Sequence, residues 1–251
     1  ALEKYGTLSL AATLAPAIKL AEEGFQVSPD FSDAIKTNAQ TLKAWAATKA
    51  IFFKPDGSFY ETGERFVQKD LAKTLKIIAN QGIKAFYQGD IAELITNDMQ
   101  AHGGLLSKTD LASYQPVIRP PVHGTYRGYD LYSMPPPSAG GTHIIQILNI
   151  LEKYDIGFFG HNTAATIHFM SAAMQRAYAD RSKYLGDQDF VKVPIDHLTS
   201  KDYAAQLRTQ INRFKASASQ DLLPGGPVAE ESEETTHYSV ADKDGNAVAN
   251  T

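Results

Sequence analysis

The sequence predicts an α+β protein that is mostly helical and has a few strands. Apolar residues recur at helical spacing in several segments before residue 117 and again between residues 142 and 214. A Gly- and Pro-rich stretch at 117–137 alternates apolar and polar side chains, which is typical of strands. Residues 235–251 combine the same alternation with a tight turn, and they predict a β-hairpin.

The region before residue 117 is predicted to contain a series of helices. The first, in "LAPAIKLAEEGF", ends at Gly24, a natural helix stop. Its apolar face consists of Leu14, Ile18 and Ala21. The second helix is expected to be capped by Ser32 or Asp33 and to carry Leu42 and Trp45. The composition of "KPDGSFY" predicts a turn.

Two more helices are predicted in this region, over residues 70–81 and in "DIAELITNDMQAHGG". Glycines follow both of them, at Gly82 and at Gly103 with Gly104. Their apolar stripes consist of Leu71, Leu75 and Ile78 in the first helix and of Ile91, Leu94, Ile95 and Met99 in the second. "KTDLASYQ" is then expected to start a short turn, with Thr109 or Asp110 as its cap.

From residue 117 onwards the pattern predicts two strands and then further helices. Val122, Tyr126 and Leu131 alternate around Gly124 and Gly128, which indicates two strands joined by a turn. "THIIQILNILEKY" predicts a strongly apolar helix, and "NTAATIHFMSAAMQRAYADRSKYL" predicts a longer one. The residues of the longer helix expected to face a core are Ile167, Met170, Met174 and Tyr178. A polar helix is predicted near residues 201–214.

The last part of the sequence predicts a linker and a hairpin. Residues 216–234 are rich in Ser, Gly, Pro and Glu, so we expect a mobile acidic linker. Strand alternation then puts Thr235, His237 and Ser239 on one face. "DKDGN" supplies the turn, and residues 246–251 begin the return strand. Because an isolated hairpin is marginally stable in water, this one is expected to belong to a larger sheet.

The composition excludes several classes of function. Apolar residues make up 43% and charged residues 21% of the sequence, as in ordinary globular proteins. A net charge of -4 gives no electrostatic basis for nucleic-acid binding. No apolar run reaches the roughly 18 residues that span a bilayer. Without cysteine there is no thiol nucleophile, and the scattered histidines predict no catalytic metal.

Three candidate sites have simpler structural explanations. "PPPSAGG" (135–141) is compatible with a backbone nest for an anion, but a Pro-rich turn leading into a helix explains it as well. His161 and His168 have a spacing that suits ligands on one helix face, although lone histidines are more often structural. Arg181 is suited to bidentate binding of a carboxylate, with an ion pair to Asp180 or Asp187 as the simpler role.

Thr235 is the strongest candidate for a catalytic residue. A threonine hydroxyl needs a base to remove its proton before it acts as a nucleophile. If the Glu234–Thr235 bond is cleaved, Thr235 gains a free α-amine, whose pKa is ordinarily close to neutral pH and which can act as that base. His237 and Ser239 share the predicted strand face with Thr235. The sequence supports two roles for them equally: they line the site, or they only pack in the strand.

The motif "TTHYSVADKDGNAVA" resembles the start of the small subunit of bacterial γ-glutamyltranspeptidase (glutathione hydrolase), an N-terminal-nucleophile hydrolase. Other segments resemble the later part of that family's large subunit, in the same order. They are "LAPAIKLAEEGFQV", "FYQGDIAELI", "GGLLSKTDLASYQPVIRPPV", "YSMPPPSAGGTHIIQILNILE" and "AYADRSKYLGDQDFVKVP". The resemblance implies part of a four-layer αββα sandwich. Residues 1–234 would be the C-terminal part of the large subunit, and 235–251 the first hairpin of the small subunit.

The resemblance also implies a mechanism. A precursor cleaves itself when the Thr235 hydroxyl attacks the carbonyl of Glu234, and hydrolysis of the resulting ester gives two subunits. The mature Thr235 then attacks the γ-glutamyl amide of glutathione and carries the γ-glutamyl group as an ester. Water, or the amine of an amino acid or peptide, resolves this ester. No metal or organic cofactor is implied.

By the same resemblance, most of the substrate pocket is expected outside this chain. The family's carboxylate-binding arginine is expected before Ala1, and its oxyanion-hole glycines and glutamyl-binding residues after Thr251. The isolated chain is therefore expected to be inactive and to keep an intact Glu234–Thr235 bond. The rest of the small subunit is an expected partner, whereas nucleic acid and a membrane span are not expected. Bacterial members are usually exported, which implies a periplasmic or secreted protein.

Two alternatives stay open. An acylase of the same superfamily, acting on glutaryl or cephalosporin-type amides, would use the same nucleophile with a different pocket. A catalytically inactive helical domain that serves only in assembly would show no self-cleavage at Thr235. The first alternative differs from the main hypothesis in its substrate, and the second differs in whether the precursor is divided.

Overall fold

The computed structural model of the protein describes residues 1–218, 221–222 and 237–250. The chain forms two compact units, Ala1–Pro116 and Val117–Thr251. Helices account for most of the described residues, and the strands form short antiparallel pairs. The prediction of a mostly helical α+β chain with a few strands is therefore confirmed.

The first unit is a series of helices with a short strand pair. Its elements are α1 (Leu2–Tyr5), α2 (Leu10–Glu23), β1 (Phe25–Gln26), α3 (Pro29–Thr37), α4 (Ala39–Ala44), α5 (Ala46–Phe52), β2 (Arg65–Phe66), α6 (Lys69–Gln81), α7 (Lys84–Tyr87), α8 (Asp90–Ala101) and α9 (Lys108–Ser113). The predicted ends of α2 and α6 are confirmed, because Gly24 and Gly82 follow them with φ values of 79° and 74°. Only glycine adopts such values at little cost.

The prediction for the second helix was wrong in two respects. Ser28, rather than Ser32 or Asp33, caps α3. Ser32 lies inside α3, where it is buried and donates a hydrogen bond to the carbonyl of Tyr60 at 3.0 Å. Trp45 has an extended backbone and separates α4 from α5, so the predicted single helix is three short ones.

The core of the first unit contains an aromatic cluster around Phe66. Its ring lies 5.1–5.8 Å, between centroids, from four other rings. These belong to Phe25, Phe31, Phe52 and Tyr60. Most of these pairs meet edge to face, the arrangement that the charge distribution of an aromatic ring favours. The cluster joins the strand pair to α3 and α5.

Helices α6 and α8 have their predicted positions, but their buried faces differ from the prediction. Leu71 and Leu94 were expected to be apolar core positions, yet they are 43% and 69% exposed. Ala72 and Ala92 are buried, and so is Ile91, which confirms one of the predicted apolar positions of α8. Small side chains allow a helix backbone to approach its neighbours closely, so alanines contribute to both buried faces although the predicted stripes did not include them.

The cap of α9 also differs from the prediction, because Ser107 occupies it rather than Thr109 or Asp110. The Ser107 hydroxyl accepts a hydrogen bond from the Asp110 N–H at 3.2 Å. In return the Asp110 carboxylate accepts one from the Ser107 N–H at 2.8 Å, which completes a capping box. Hydrogen bonds from the Ser107 hydroxyl and N–H lower the pKa of Asp110.

The second unit contains longer helices and two hairpins. Its elements are β3 (Val122–Tyr126), β4 (Tyr129–Ser133), α10 (Gly140–Leu151), α11 (Ile156–Phe159), α12 (Ala164–Tyr184), α13 (Ile195–Leu198), α14 (Lys201–Thr209), β5 (Tyr238–Ala241) and β6 (Ala247–Asn250). The predicted hairpin of β3 and β4 is confirmed, with Tyr126 opposite Tyr129. Its turn residues Arg127 and Gly128 both have positive φ, as a type I′ turn requires.

The core of the second unit lies among α10, α12 and α14. Its buried members are Ile150, Leu151, Phe169, Ala172, Ala173, Ala204, Leu207 and Ile211. The predicted core face of α12 was wrong: Ile167, Met170, Met174 and Tyr178 are all exposed. Apolar residues occur on two sides of this helix, and the sequence pattern does not distinguish the side that α10 and α14 cover.

The hairpin of β5 and β6 confirms the predicted strands and turn over the described residues. Tyr238 lies opposite Asn250 and Ala241 opposite Ala247, and Gly245 has a φ of 86°. Every residue of both strands is exposed. The predicted linker at 216–234 lies mostly outside the described residues.

Candidate functional site

Thr235 and Glu234, the predicted nucleophile and cleavage site, lie outside the described residues. The described structure resumes at His237, and β5 begins at Tyr238. A strand is therefore present from the third residue after Thr235. The catalytic assignment itself stays a prediction.

The side chains of His237 and Ser239 lie on the same side of the chain, as the alternation predicts. The Nε2 atom of His237 is 3.2 Å from the Oγ atom of Ser239. On the opposite face Tyr238 and Val240 lie beside Val248 of β6. Apart from His237, one face of the hairpin thus carries small side chains, whereas the other carries Tyr238, Val240 and Val248.

The turn that follows β5 is organised by the Asp242 carboxylate. One of its oxygens accepts hydrogen bonds from the N–H groups of Asp244 and Asn246, both at 2.9 Å. The other accepts one from the Asn246 side chain at 2.8 Å. These bonds, with that of the Asn246 side chain as the largest contribution, lower the pKa of Asp242. The turn is therefore formed by local contacts and needs no partner element.

The two histidines considered as ligands do not form a common site. His161 lies in the turn before α12, whereas His168 lies within α12. The Nε2 atom of His168 is 2.7 Å from the carbonyl oxygen of Asn212, which gives this histidine a structural role. Among the described residues, no group of three or more histidines and carboxylates could hold a metal ion.

The "PPPSAGG" segment has a structural explanation in the start of α10. A Cβ atom on Gly141 would collide with the carbonyl of Met134, which follows β4. The nearest atom to a Cβ on Gly140 is the Ser138 hydroxyl, at 3.6 Å, so only Gly141 needs to be glycine for steric reasons. The glycine pair thus allows α10 to start close to β4.

A buried polar cluster that the sequence did not predict joins α10, α12 and α14. The Asp180 carboxylate accepts hydrogen bonds from the Gln146 side chain and from the Tyr203 hydroxyl, the latter at 2.9 Å. Burial raises the pKa of Asp180, and burial together with the Asp180 contact raises the pKa of Tyr203. Arg181, the residue after Asp180, has its guanidinium group over the Tyr178 ring, at 5.9 Å from the ring centroid.

Arg176 adds a second buried polar group on α12. It is 2% exposed, and its guanidinium donates hydrogen bonds to the carbonyls of Ala172 and Gln210, at 2.9 and 2.6 Å. Burial lowers its pKa. These polar groups connect helices to one another. The only signal for them in the sequence is the four-residue spacing of Arg176 and Asp180, which places both on one helix face.

No helix in the described ranges is long and apolar enough to cross a membrane. A family model described as Gamma-glutamyltranspeptidase matches residues 1–251, the whole chain. A protein of Escherichia coli strain K12 named "Glutathione hydrolase proenzyme" is 51% identical over 250 residues. That match covers 99% of this chain and 43% of the relative.

Two further comparisons point to the same fold. "Acylase ACY 1 proenzyme" of Pseudomonas sp. strain SE83 is 43% identical over 251 residues, which is 100% of this chain and 44% of the relative. The crystal structure of Helicobacter pylori gamma-glutamyltranspeptidase matches with a TM-score of 0.85 and 45% identity, over 93% of this chain and 67% of that chain. This structural match confirms the predicted fold class. The chain spans less than half the length of the curated relatives named here.

Proposed function

This chain belongs to the gamma-glutamyltranspeptidase family, and we propose that it carries the nucleophile, Thr235, of a γ-glutamyl transferase and hydrolase. The substrate class is glutathione and related γ-glutamyl amides, and the acceptors are water and the amines of amino acids or peptides. The observation that carries this proposal is the family match over the whole chain, which includes the residues on both sides of the Glu234–Thr235 bond.

The first reaction in the proposal is self-cleavage. The Thr235 hydroxyl oxygen attacks the carbonyl carbon of Glu234, and the peptide bond to the Thr235 nitrogen breaks as an ester to the hydroxyl oxygen forms. The nitrogen takes up the proton that the hydroxyl loses. Water then hydrolyses the ester, which leaves a carboxylate on Glu234 and a free hydroxyl and α-amine on Thr235.

The second reaction uses the amine that the first one releases. The α-amine of Thr235 removes the hydroxyl proton while the oxygen attacks the γ-carbonyl carbon of the substrate. The substrate's amide nitrogen leaves with a proton, and the γ-glutamyl group stays on Thr235 as an ester. An acceptor amine or water then attacks that ester and restores the hydroxyl. Neither reaction requires a metal or an organic cofactor.

The names of the relatives support this proposal and also one alternative. Both curated relatives are named as proenzymes, which suits a chain that must be divided before it acts. The relative with the higher identity is a glutathione hydrolase, whereas the other is an acylase. An acylase with the same nucleophile is therefore the second candidate function, and the residues that would discriminate substrates are expected outside these 251 residues.

The organisation of the protein follows from the same proposal. Residues 1–234 form the C-terminal part of a large subunit, with 216–234 as a flexible acidic linker, and residues 235–251 form the first hairpin of a small subunit. The remainder of the small subunit is the proposed partner. The proposed location is the periplasm or the outside of the cell.

The proposal is tested by substituting Thr235 in a polypeptide of the relatives' length that contains these residues. We expect Thr235→Ala to abolish γ-glutamyl transfer from a γ-glutamyl anilide, because no other group supplies the attacking oxygen. Thr235→Ser keeps a hydroxyl and an α-amine, so it should retain measurable activity. Unchanged turnover by the alanine variant would refute the assignment of Thr235.

The acylase alternative needs a comparison of substrates on the wild-type protein. We expect release of glutamate from glutathione to exceed hydrolysis of a glutaryl amide of the same amine by at least about tenfold in kcat/KM, since recognition of a charged amino group is worth more than about 1.4 kcal/mol. The reverse preference, with Thr235 still essential, would identify the protein as an acylase.

A further inference from the structure

Arg176 of α12 is a buried cation whose hydrogen bonds are incomplete. It is 2% exposed, and arginine is almost never buried to this extent without a partner of opposite charge. Of the five N–H groups of its guanidinium, one donates to the carbonyl of Ala172 and another to that of Gln210. The Nε atom has no hydrogen-bond partner among the described residues. The group therefore keeps donors that a ligand can satisfy.

The carboxylate nearest to Arg176 along α12 does not neutralise it. Asp180 follows Arg176 by four residues, a spacing at which opposite charges on a helix commonly pair. The Asp180 oxygens instead accept hydrogen bonds from Gln146 and Tyr203. Within the described part of the chain Arg176 forms no ion pair, and burial lowers its pKa because the charged form loses hydration. Its charge is therefore uncompensated where the structure describes its surroundings.

A cleft of about 260 Å³ lies beside this group. Its polar lining comes from α12, α14 and the residue after α14, and consists of Arg176, Asp180, Lys183, Tyr184, Tyr203 and Gln210. Leu207 of α14 adds apolar surface. A water molecule takes up about 30 Å³ in the liquid. The cleft is therefore large enough for a small organic ligand.

The charges that line the cleft favour an anion with one negative charge. Arg176 and Lys183 supply two positive charges and Asp180 one negative charge, which leaves one positive charge in excess. A carboxylate balances this excess, whereas Asp180 repels an anion with two charges more strongly. The guanidinium also fits a carboxylate in shape, because two parallel N–H groups meet its two oxygens. Tyr184 and Leu207 offer apolar surface for the rest of an organic molecule.

We propose that this cleft binds a small organic monocarboxylate, whose oxygens accept hydrogen bonds from the Nε–H group of Arg176 and from one of its Nη atoms. Lys183 is exposed, and it attracts the anion from the solvent side of the cleft. The binding is non-covalent. This inference does not depend on the reaction proposed above, since it rests on the contacts of Arg176 and on the lining of the cleft.

The Nε–H signal of Arg176 in nuclear magnetic resonance tests the proposal at the site itself. A polypeptide of the relatives' length is produced with isotope-labelled arginine, and the Arg176 signal is assigned through its contacts to Ala172 and through its loss in the Arg176→Lys variant. The probe is sodium propionate. We expect the Arg176 signal to move downfield and to reach saturation, because a charge-assisted hydrogen bond forms at Nε. Propionamide, a neutral molecule of the same shape, should cause no saturable shift.

Two variants then measure how the lining of the cleft contributes to affinity, with the Arg176 signal as the readout. Lys183→Met removes the exposed positive charge and should weaken propionate binding at least about threefold. Arg208→Lys is the control. Arg208 donates to the carbonyl of Asn149 and does not line the cleft, so this variant should bind propionate within about twofold of the wild type.

Three results would overturn the proposal. The first is an Arg176 signal that does not move with propionate, and the second is an equal saturable shift with propionamide. The third is a larger saturable shift with sodium sulfate, which would contradict the assignment of a monocarboxylate. Because the signal reports on Arg176 alone, propionate that binds elsewhere in the protein does not imitate the expected result.

Discussion

The helical core of the second unit and its terminal hairpin differ in where their stabilising contacts are. Ile150 of α10 is 0% exposed and is packed within residues from α10, α12 and α14. Val240 of β5, a residue of similar character, is 60% exposed. Ile150 is therefore enclosed by the described residues, whereas the described contacts of the hairpin strands are those of their own ladder and turn. A hairpin of this kind depends on further strands or packing for its stability.

The largest expected effect of this difference is on unfolding. Ile150→Ala removes a fully buried side chain and should lower the free energy of unfolding of the 251-residue chain by about 3 kcal/mol. Val240→Ala should change it by less than about 0.5 kcal/mol, because the side chain is exposed. Urea titrations of both variants measure the two values. A loss above about 1 kcal/mol for Val240→Ala would mean that the hairpin is packed against the rest of the chain.

A smaller effect is expected from the buried carboxyl group of the core. Burial raises the pKa of Asp180, so its ionised form is disfavoured in the folded state. The destabilising effect of the buried Asp180 carboxylate is absent below the pKa that Asp180 has in the unfolded state. The effect grows as the pH rises through the pKa of Asp180 in the folded state. The free energy of unfolding of the Asp180→Asn variant, relative to that of the wild type, should therefore be higher at pH 7.5 than at pH 4. Urea unfolding at both pH values gives this difference, and a gain that is larger at pH 4 would contradict the assignment.

Local signals predicted much of the helical framework. Gly24 and Gly82 mark helix ends because their positive φ values need glycine, and the pattern around Gly128 predicts the β3–β4 hairpin. The cap of α3 was missed because "SPDFSD" offers several capping residues, and only the one before the proline, Ser28, is used. Local sequence signals thus predict the positions of helices and hairpins well, but they do not identify which of several neighbouring residues caps a helix.

Contacts between distant residues were not predictable in the same way. The Asp180 carboxylate meets the Tyr203 hydroxyl only because α12 and α14 pack together. The core side of α12 was misassigned because both of its sides are apolar, and the covered side depends on which helices pack against it. The prediction of Thr235 as the nucleophile rests on a motif and on the resemblance of that motif to a family. Thr235 itself lies outside the described residues.

The most direct test of the central claim is the identity of the chain ends in the mature protein. A polypeptide of the relatives' length is purified, and its products are analysed by intact mass and by N-terminal sequencing. We expect two chains, of which the smaller begins with Thr235 and the larger ends with Glu234. A single undivided chain that nonetheless transfers γ-glutamyl groups, or a division at any other bond, would contradict the assignment of Thr235 as both cleavage point and nucleophile.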